Sequence, residues 1–247
     1  MMKVFAFIPA RFHSTRFPGK PLALILDKPM IQHVYERVRS SNELSEVYVA
    51  TDDERILKCV QGFGGKGIMT GKGHRSGTDR VWEAARKTGL EPDDIVINIQ
   101  GDQPLLPPSV ISELVLPLKE DSSLPMATLK WKIRDEADLL NPNHVKVVTD
   151  REGYALYFSR SAIPFVRDRH GKTACYKHLG IYGYRMAFLA RFTRLPKGVL
   201  ESVESLEQLR ALENGFRIKV VETPFNSIEV DVPADIEKVE KILRATP

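Results

Sequence analysis

The chain has 247 residues, 43% hydrophobic and 28% charged, with 16 Gly and 16 Pro, a globular balance that excludes a stapled mini-protein, a collagen-like repeat and an extended disordered chain. Lys+Arg 36 against Asp+Glu 32 gives a formal net charge of +4, an excess too thinly spread to mark a nucleic-acid stripe. Cys59 and Cys175 stand apart without zinc spacing, so both read as reduced structural thiols.

The longest nearly unbroken apolar run, residues 4–10, is far below the roughly 20 residues of a membrane helix. It leads into Arg11 rather than a small-residue cleavage site, so a cytoplasmic protein with no membrane and no nucleic-acid partner is expected. Strand-like runs then alternate with amphipathic segments: 3–8 and 30–38, 46–51 and 54–60, 68–69 and 80–87, 94–100 and 110–118. This is the βαβ pattern of a parallel sheet. Residues 95–99 (Ile-Val-Ile-Asn-Ile) are apolar almost throughout, as a central strand covered on both faces requires. Pro29 and Pro108 stand where helices begin, a place where the missing N–H has no partner to lose.

Beyond about residue 120 the pattern changes to strands at 126–133, 144–149, 154–159 and 178–184, which predicts a small antiparallel or mixed sheet. A helix is expected at 201–213, with Val203, Leu206, Leu209 and Leu212 as its buried stripe, then a strand at 217–222 and a last helix at 233–244. Residues 1–247 therefore read as a single α/β domain, with about 124–190 as a β-rich subdomain.

The first strand runs into Pro9-Ala10-Arg11-Phe12-His13-Ser14-Thr15-Arg16-Phe17-Pro18-Gly19-Lys20-Pro21-Leu22, which carries three cations beyond residue 10 and no acid. A loop at this end of a first strand lies where doubly wound sheets bind ligands, and its N–H groups and cations suit a polyphosphate. It is not a Walker loop, because only Gly19-Lys20 of that motif is present and Pro21 follows. Asp102 follows the apolar strand directly and should project toward this loop; a turn or helix cap is the alternative for it. Asp231 precedes Pro233 as an ordinary N-cap would, with Asp235 a competing ligand. Thr78 reads equally as a helix cap or a ligand-contacting hydroxyl.

Taken in order, these segments resemble the 3-deoxy-D-manno-octulosonate (Kdo) cytidylyltransferase family. The resemblance rests on the residue 8–22 loop and on Val49-Ala50-Thr51-Asp52, Ser76-Gly77-Thr78-Asp79-Arg80, Gln100-Gly101-Asp102, Met126-Ala127-Thr128-Leu129, Tyr154 to Arg160, His178 to Tyr182, Leu206 to Arg210 and Val230-Asp231. It implies a Rossmann-like, mostly parallel sheet of the nucleotide-diphospho-sugar transferase type, with the β-rich part inserted for dimerisation and sugar binding. The implied reaction joins CTP to Kdo for lipopolysaccharide biosynthesis, in a cytoplasmic homodimer.

By the same resemblance, Lys20, Arg11, Asp102 and Asp231 are catalytic, and Asp102 and Asp231 hold Mg²⁺. Pro9, Ala10, Arg11, Ser14, Lys20, Ser76, Gly77, Arg80 and Gln100 contact the nucleotide. Arg16, Arg160, Arg167, His178, Tyr182, Glu207 and Gln208 surround the sugar. On their own, Arg167 could sit in a solvated charge run, His178 in a core, and Glu207 and Gln208 on a solvent face. Gln103 and Arg75 depart from the family's usual Glu and Gln, which leaves the 8-amino analogue of Kdo open as substrate; sialate is a further alternative. Outside the enzyme class, a non-catalytic nucleotide- or RNA-binding module could carry the same basic loop.

Overall fold

A computed structural model describes residues 2–13, 17–167 and 174–245. In chain order the elements are β1 (Val4–Ala10), a single 3₁₀ turn (Lys20–Leu22), β2 (Leu24–Ile25), β3 (Lys28–Pro29), α1 (Met30–Arg39), β4 (Glu46–Thr51) and α2 (Glu54–Gly62). There follow β5 (Gly67–Met69), α3 (Gly77–Arg86), β6 (Ile95–Asn98), α4 (Ser109–Glu120), β7 (Met126–Lys132), α5 (Glu136–Leu140), β8 (Lys146–Thr149) and β9 (Ala155–Ser159). The chain closes with β10 (Tyr176–Arg185), α6 (Met186–Phe192), α7 (Val199–Glu204), α8 (Leu209–Glu213), β11 (Lys219–Thr223) and α9 (Ala234–Ala245). It forms two compact units, Met1–Ser112 with Ser227–Pro247, and Glu113–Asn226.

The first unit is built on four parallel strands in the order β6-β1-β4-β5, with Phe5 opposite Val96 and Ile8 opposite Val49. All four residues of β6 are buried, as its unbroken apolar sequence requires. On α1 the buried residues Ile31, Val34, Tyr35 and Val38 recur at the helical period, so burial of that stripe holds the helix in place. Val230 and Val239 pack with Ile25 and Met30 in a cluster that also takes Phe17, Ile228 and Ile236. The C-terminal segment is thereby anchored beside the N-terminal loop by apolar burial. The β2–β3 hairpin was not expected: its turn, Leu26-Asp27, has φ of 44 and 54, the left-handed pair a two-residue hairpin needs, without the glycine that usually announces it.

In the second unit β7 pairs antiparallel with β10 and parallel with β11, while β8 pairs antiparallel with β9 and β10. The expected single helix over 201–213 is two, α7 and α8. Ser205 stands between them at φ 53, and Val203, assigned to the buried stripe, is 78% exposed whereas Leu206 and Leu209 are buried. Arg210 joins the two pieces by donating from Nε and Nη2 to Glu201 at 2.8 and 2.5 Å. A helix over Met186–Phe192 was not anticipated either; its Met186, Phe188, Leu189 and Phe192 are all buried, so an apolar run after a strand carried no visible helical period.

Lys146 is fully buried in this unit, and its Nζ donates to the carbonyls of Asn141 (2.9 Å), His144 (2.6 Å) and Arg160 (2.5 Å). Burial, with the Arg160 charge nearby, pulls this ammonium below the ordinary lysine value. Three carbonyls satisfied by one cation close the turn before β8 onto the end of β9. Lys146→Met leaves all three without that donor and should destabilise the protein by about 3 kcal/mol, read as a lowered urea midpoint by circular dichroism; an unchanged midpoint would show that the carbonyls find other donors.

Candidate active site

The site grows from the C-terminal edge of the first unit's sheet. β1 delivers Pro9, Ala10 and the exposed Arg11, and the chain returns through Phe17 and Pro18. Gly19 closes this loop. Its N–H donates to the Phe12 carbonyl at 2.9 Å, its φ is 74, and a Cβ there would stand 3.3 Å from the Phe12 ring, so a residue without a side chain is required. Lys20 then opens the 3₁₀ turn, with Pro21 next.

The Lys20 Nζ donates to Asp102 Oδ2 at 2.7 Å and to the Val230 carbonyl at 2.8 Å, and lies 3.7 Å from Asp231 Oδ1. Asp102 and Asp231 thus meet at the loop, but no strand of the first unit delivers Asp231. The strand preceding Asp231, β11, belongs to the second unit beside β7. Asp231 is placed instead by the Val230 N–H donating to the Asp102 carbonyl at 3.0 Å, and by burial of Val230 itself. Asp235, the competing ligand, is engaged on the backbone instead, its Oδ2 accepting the N–H groups of Asp231 (3.0 Å) and Val232 (3.1 Å). Burial raises the Asp235 carboxyl, but Lys238 and those two N–H groups outweigh it and hold the group below the usual range.

One cleft is lined by Pro9, Ala10, Arg11, Lys20 and Pro21, by His74, Arg75, Ser76, Gly77 and Arg80, and by Gln100, Gly101, Asp102 and Asp231. Ser76 caps α3, its Oγ accepting the Asp79 N–H at 3.1 Å; Thr78, which the sequence leaves equally a cap or a ligand-contacting hydroxyl, is buried within the first turn. The amino end of α3 therefore faces the cleft, where N–H groups favour anionic ligands. Gly77 packs on Pro9, and a Cβ on Gly101 would come within 3.2 Å of the Pro9 carbonyl, so both glycines allow the walls to close on β1. Arg80 is buried, with Nη1 on Thr70 Oγ1 (2.6 Å) and Nη2 on Asp52 Oδ2 (3.0 Å); Asp52 thus offsets a charge that burial alone would make costly. Ser14 and Arg16 lie outside the described residues.

The remaining predicted residues belong to the second unit. His178 Nε2 is 2.9 Å from Thr128 Oγ1, whose proton goes to the carbonyls of Leu179 (3.1 Å) and Ile181 (2.8 Å). The hydroxyl must therefore accept from Nε2–H, which fixes the histidine tautomer. Burial and the Lys177 charge push the His178 pKa down to about 3, so the ring is neutral. Its ring centroid is 5.4 Å from that of Tyr182, whose phenol is raised by burial and by the charge of Glu207. These three are brought together. Gln208 is buried rather than on a solvent face, and its Nε2 has no hydrogen-bond partner among the described residues. The Arg160 guanidinium donates to the carbonyls of Glu204 (2.7 Å), Pro142 (3.1 Å) and Ser205 (3.5 Å), so it shapes the α7–α8 break. Arg167 is exposed.

A parallel α/β sheet with a basic loop, a helix amino end and an acid pair beside the carboxyl ends of its strands has the form of a nucleotide-binding cleft. Comparison with known proteins narrows this. The chain belongs to the cytidylyltransferase family, whose sequence profile matches residues 5–221. It is 57% identical over 98% of both chains to 3-deoxy-manno-octulosonate cytidylyltransferase of Syntrophus aciditrophicus. It is 54% identical to the protein of that name from Geobacter sulfurreducens, over 98% of this chain and 100% of the relative. A solved CMP:2-keto-3-deoxy-manno-octonic acid synthetase complexed with CTP superposes with a TM-score of 0.94 at 45% identity, covering 99% of this chain and 100% of the other.

The two aspartates are expected to behave differently in stability measurements. Asp235→Ala should cost about 1 kcal/mol, the scale of a lost helix cap, while Asp231→Asn should leave the urea midpoint unchanged. Because the folded Asp235 carboxyl lies below its unfolded value near 3.9, its contribution is present above that pH and lost as pH falls through the folded value. The gap between wild type and Asp235→Ala should accordingly close in acid.

Proposed function

We propose that the protein transfers the cytidylyl group of CTP to Kdo, giving CMP-Kdo and pyrophosphate for lipopolysaccharide biosynthesis. The observation that supports this most directly is Lys20 held between Asp102 and Asp231 in a cleft whose walls carry Arg11, Arg80 and the amino end of α3, in a chain with relatives of that name over nearly its whole length. The anomeric hydroxyl of the sugar attacks the α-phosphorus; the new P–O bond forms as the bond to the bridging oxygen breaks, the hydroxyl proton is lost and pyrophosphate leaves. Lys20 and Arg11 stabilise negative charge as it gathers on the phosphates. Pro9, Ala10, Ser14, Ser76, Gly77, Arg80 and Gln100 bind the nucleotide, with Arg16, Arg160, Arg167, His178, Tyr182, Glu207 and Gln208 on the sugar.

The donor set fits Mg²⁺. Two carboxylates already converge on one cation, and among the described residues no group of three or more His, Cys, Asp or Glu could form a protein-only cage. That suits an ion which takes one or two carboxylates and completes its shell with phosphate oxygens and water. Bound by Asp102 and Asp231, Mg²⁺ would neutralise phosphate charge and lower the pKa of the attacking hydroxyl. We place the protein in the cytoplasm as a homodimer; the exposed Leu156, Val199 and Val203 of the second unit support an association surface there.

Pyrophosphate release from CTP, UTP, ATP and GTP, each with Kdo, 8-amino-Kdo and sialate, tests the assignment: turnover is expected with CTP and Kdo. CTP binding without magnesium-dependent turnover, or steeply salt-dependent RNA binding, would instead mark a non-catalytic module. Lys20→Ala should lower kcat on the order of 10²–10³-fold, the scale of one lost charge-stabilising donor. Asp102→Asn and Asp231→Asn should each remove most turnover, and the double variant little more than either, because residues acting as a unit are not additive. Multiplying losses would separate the two acids.

A further inference from the structure

The wall of the cleft formed by His74, Arg75 and Ser76 belongs to a segment with no regular structure that contains Gly71 and Gly73. Glycine leaves such a segment conformationally open unless something restrains it. The restraint comes from Glu83 on α3, a residue that does not line the cleft. Its Oε2 accepts the Gly71 N–H at 2.9 Å and lies 2.5 Å from His74 Nε2. Its Oε1 accepts from Lys87 Nζ at 2.6 Å, and the same ammonium donates to the Met69 carbonyl at 2.7 Å. One carboxylate on α3 and one ammonium at the residue that ends it therefore fix three points of the segment, at residues 69, 71 and 74. Thr70 is fixed separately, its N–H donating to the Thr51 carbonyl at 2.8 Å.

The chemistry of this latch is directional. Burial raises the Glu83 carboxyl, but Lys87, the Gly71 N–H and His74 outweigh it and bring it down to about 2. The ionised group is an acceptor only, so His74 must present Nε2–H to it. That orients the imidazole and leaves Nδ1 as the ring atom that can meet a ligand in the cleft. We propose that Glu83 is a positioning residue for the nucleotide, acting through His74, which contacts CTP directly. The inference rests on the cytidylyltransferase reading and adds to it a contact residue, His74, and the residue that aims it.

The test compares wild type, Glu83→Gln, His74→Gln and the double variant by calorimetric Kd for CTP and by KM for each substrate. Glu83→Gln should raise the Kd and KM for CTP about tenfold, with KM for Kdo and kcat changed less than threefold. The double variant should fall within twofold of His74→Gln, since the two act on one contact. An unchanged CTP Kd in Glu83→Gln, equal rises in both KM values, or losses that multiply would overturn the proposal. If Glu83→Gln gives no soluble protein, His74→Gln decides alone, because it leaves Glu83 on Gly71 and Lys87; an unchanged CTP Kd there overturns the direct contact. Failure of wild type itself to bind CTP would instead bring down the nucleotide reading, and this inference with it.

Discussion

The ammonium of Lys20 is the interaction on which the first unit's cleft depends. It joins a loop near the amino terminus to a residue past the fourth parallel strand and to a segment more than 200 residues away, through Asp102, the Val230 carbonyl and Asp231. Two carboxylates brought together without a cation repel one another, by about 1 kcal/mol at 4 Å in water and several times more where water is partly excluded. Lys20 offsets that repulsion, but it does not act unaided. The Val230 N–H on the Asp102 carbonyl and the buried Val230 side chain fix the backbone independently of charge. The acids are thus held by a hydrogen bond and a packed core as well as by the ammonium. Such preorganisation matters because groups fixed before the reaction need no rearrangement during it.

Charge is used differently in the second unit. Lys146, Arg160 and Arg210 all point at protein groups: three carbonyls, three carbonyls and the Glu201 carboxylate. Each ties down an irregular connection, Lys146 and Arg160 through backbone carbonyls and Arg210 through a carboxylate. The effect converges on the break between α7 and α8, since Arg160 takes the carbonyls of Glu204 and Ser205 on one side and Arg210 ties α8 back to Glu201 on the other. Glu207 and Gln208 emerge from that break. The same economy appears at the irregular register of β10, where one threonine hydroxyl satisfies two carbonyls and orients His178.

What was legible in the sequence follows the same division. Strands β1, β4 and β6 and the helices between them show because each buries a face of fixed period, and period survives in sequence. The basic loop was legible because cations without acids, directly after such a strand, have few structural uses. Thr78 reads as a possible cap in the sequence, yet Ser76 caps α3, because hydroxyls two residues apart are chemically equivalent until the backbone selects one. The hairpin at Leu26-Asp27 and the helix break at Ser205 both rest on left-handed residues that are not glycine; tertiary packing imposes them against local preference. Glu83 carried no signal at all, since a glutamate on an amphipathic helix looks like solvent-facing charge until the segment it holds is seen.

Asp231 and Asp235 show why spacing alone could not assign the acids. They stand four residues apart at the start of one helix, and either could accept unpaired N–H groups there. The chain resolves the competition geometrically: Asp235, already inside the first turn of α9, reaches back to the N–H groups of Asp231 and Val232. By taking the Asp231 backbone as its partner, that side chain stiffens the segment carrying the other acid. The Asp231 carboxylate carried by that segment stands 3.7 Å from the Lys20 ammonium. A helix cap and a charge-bearing site residue are therefore two products of one local fold, and removing the cap loosens the segment from which the second acid is presented.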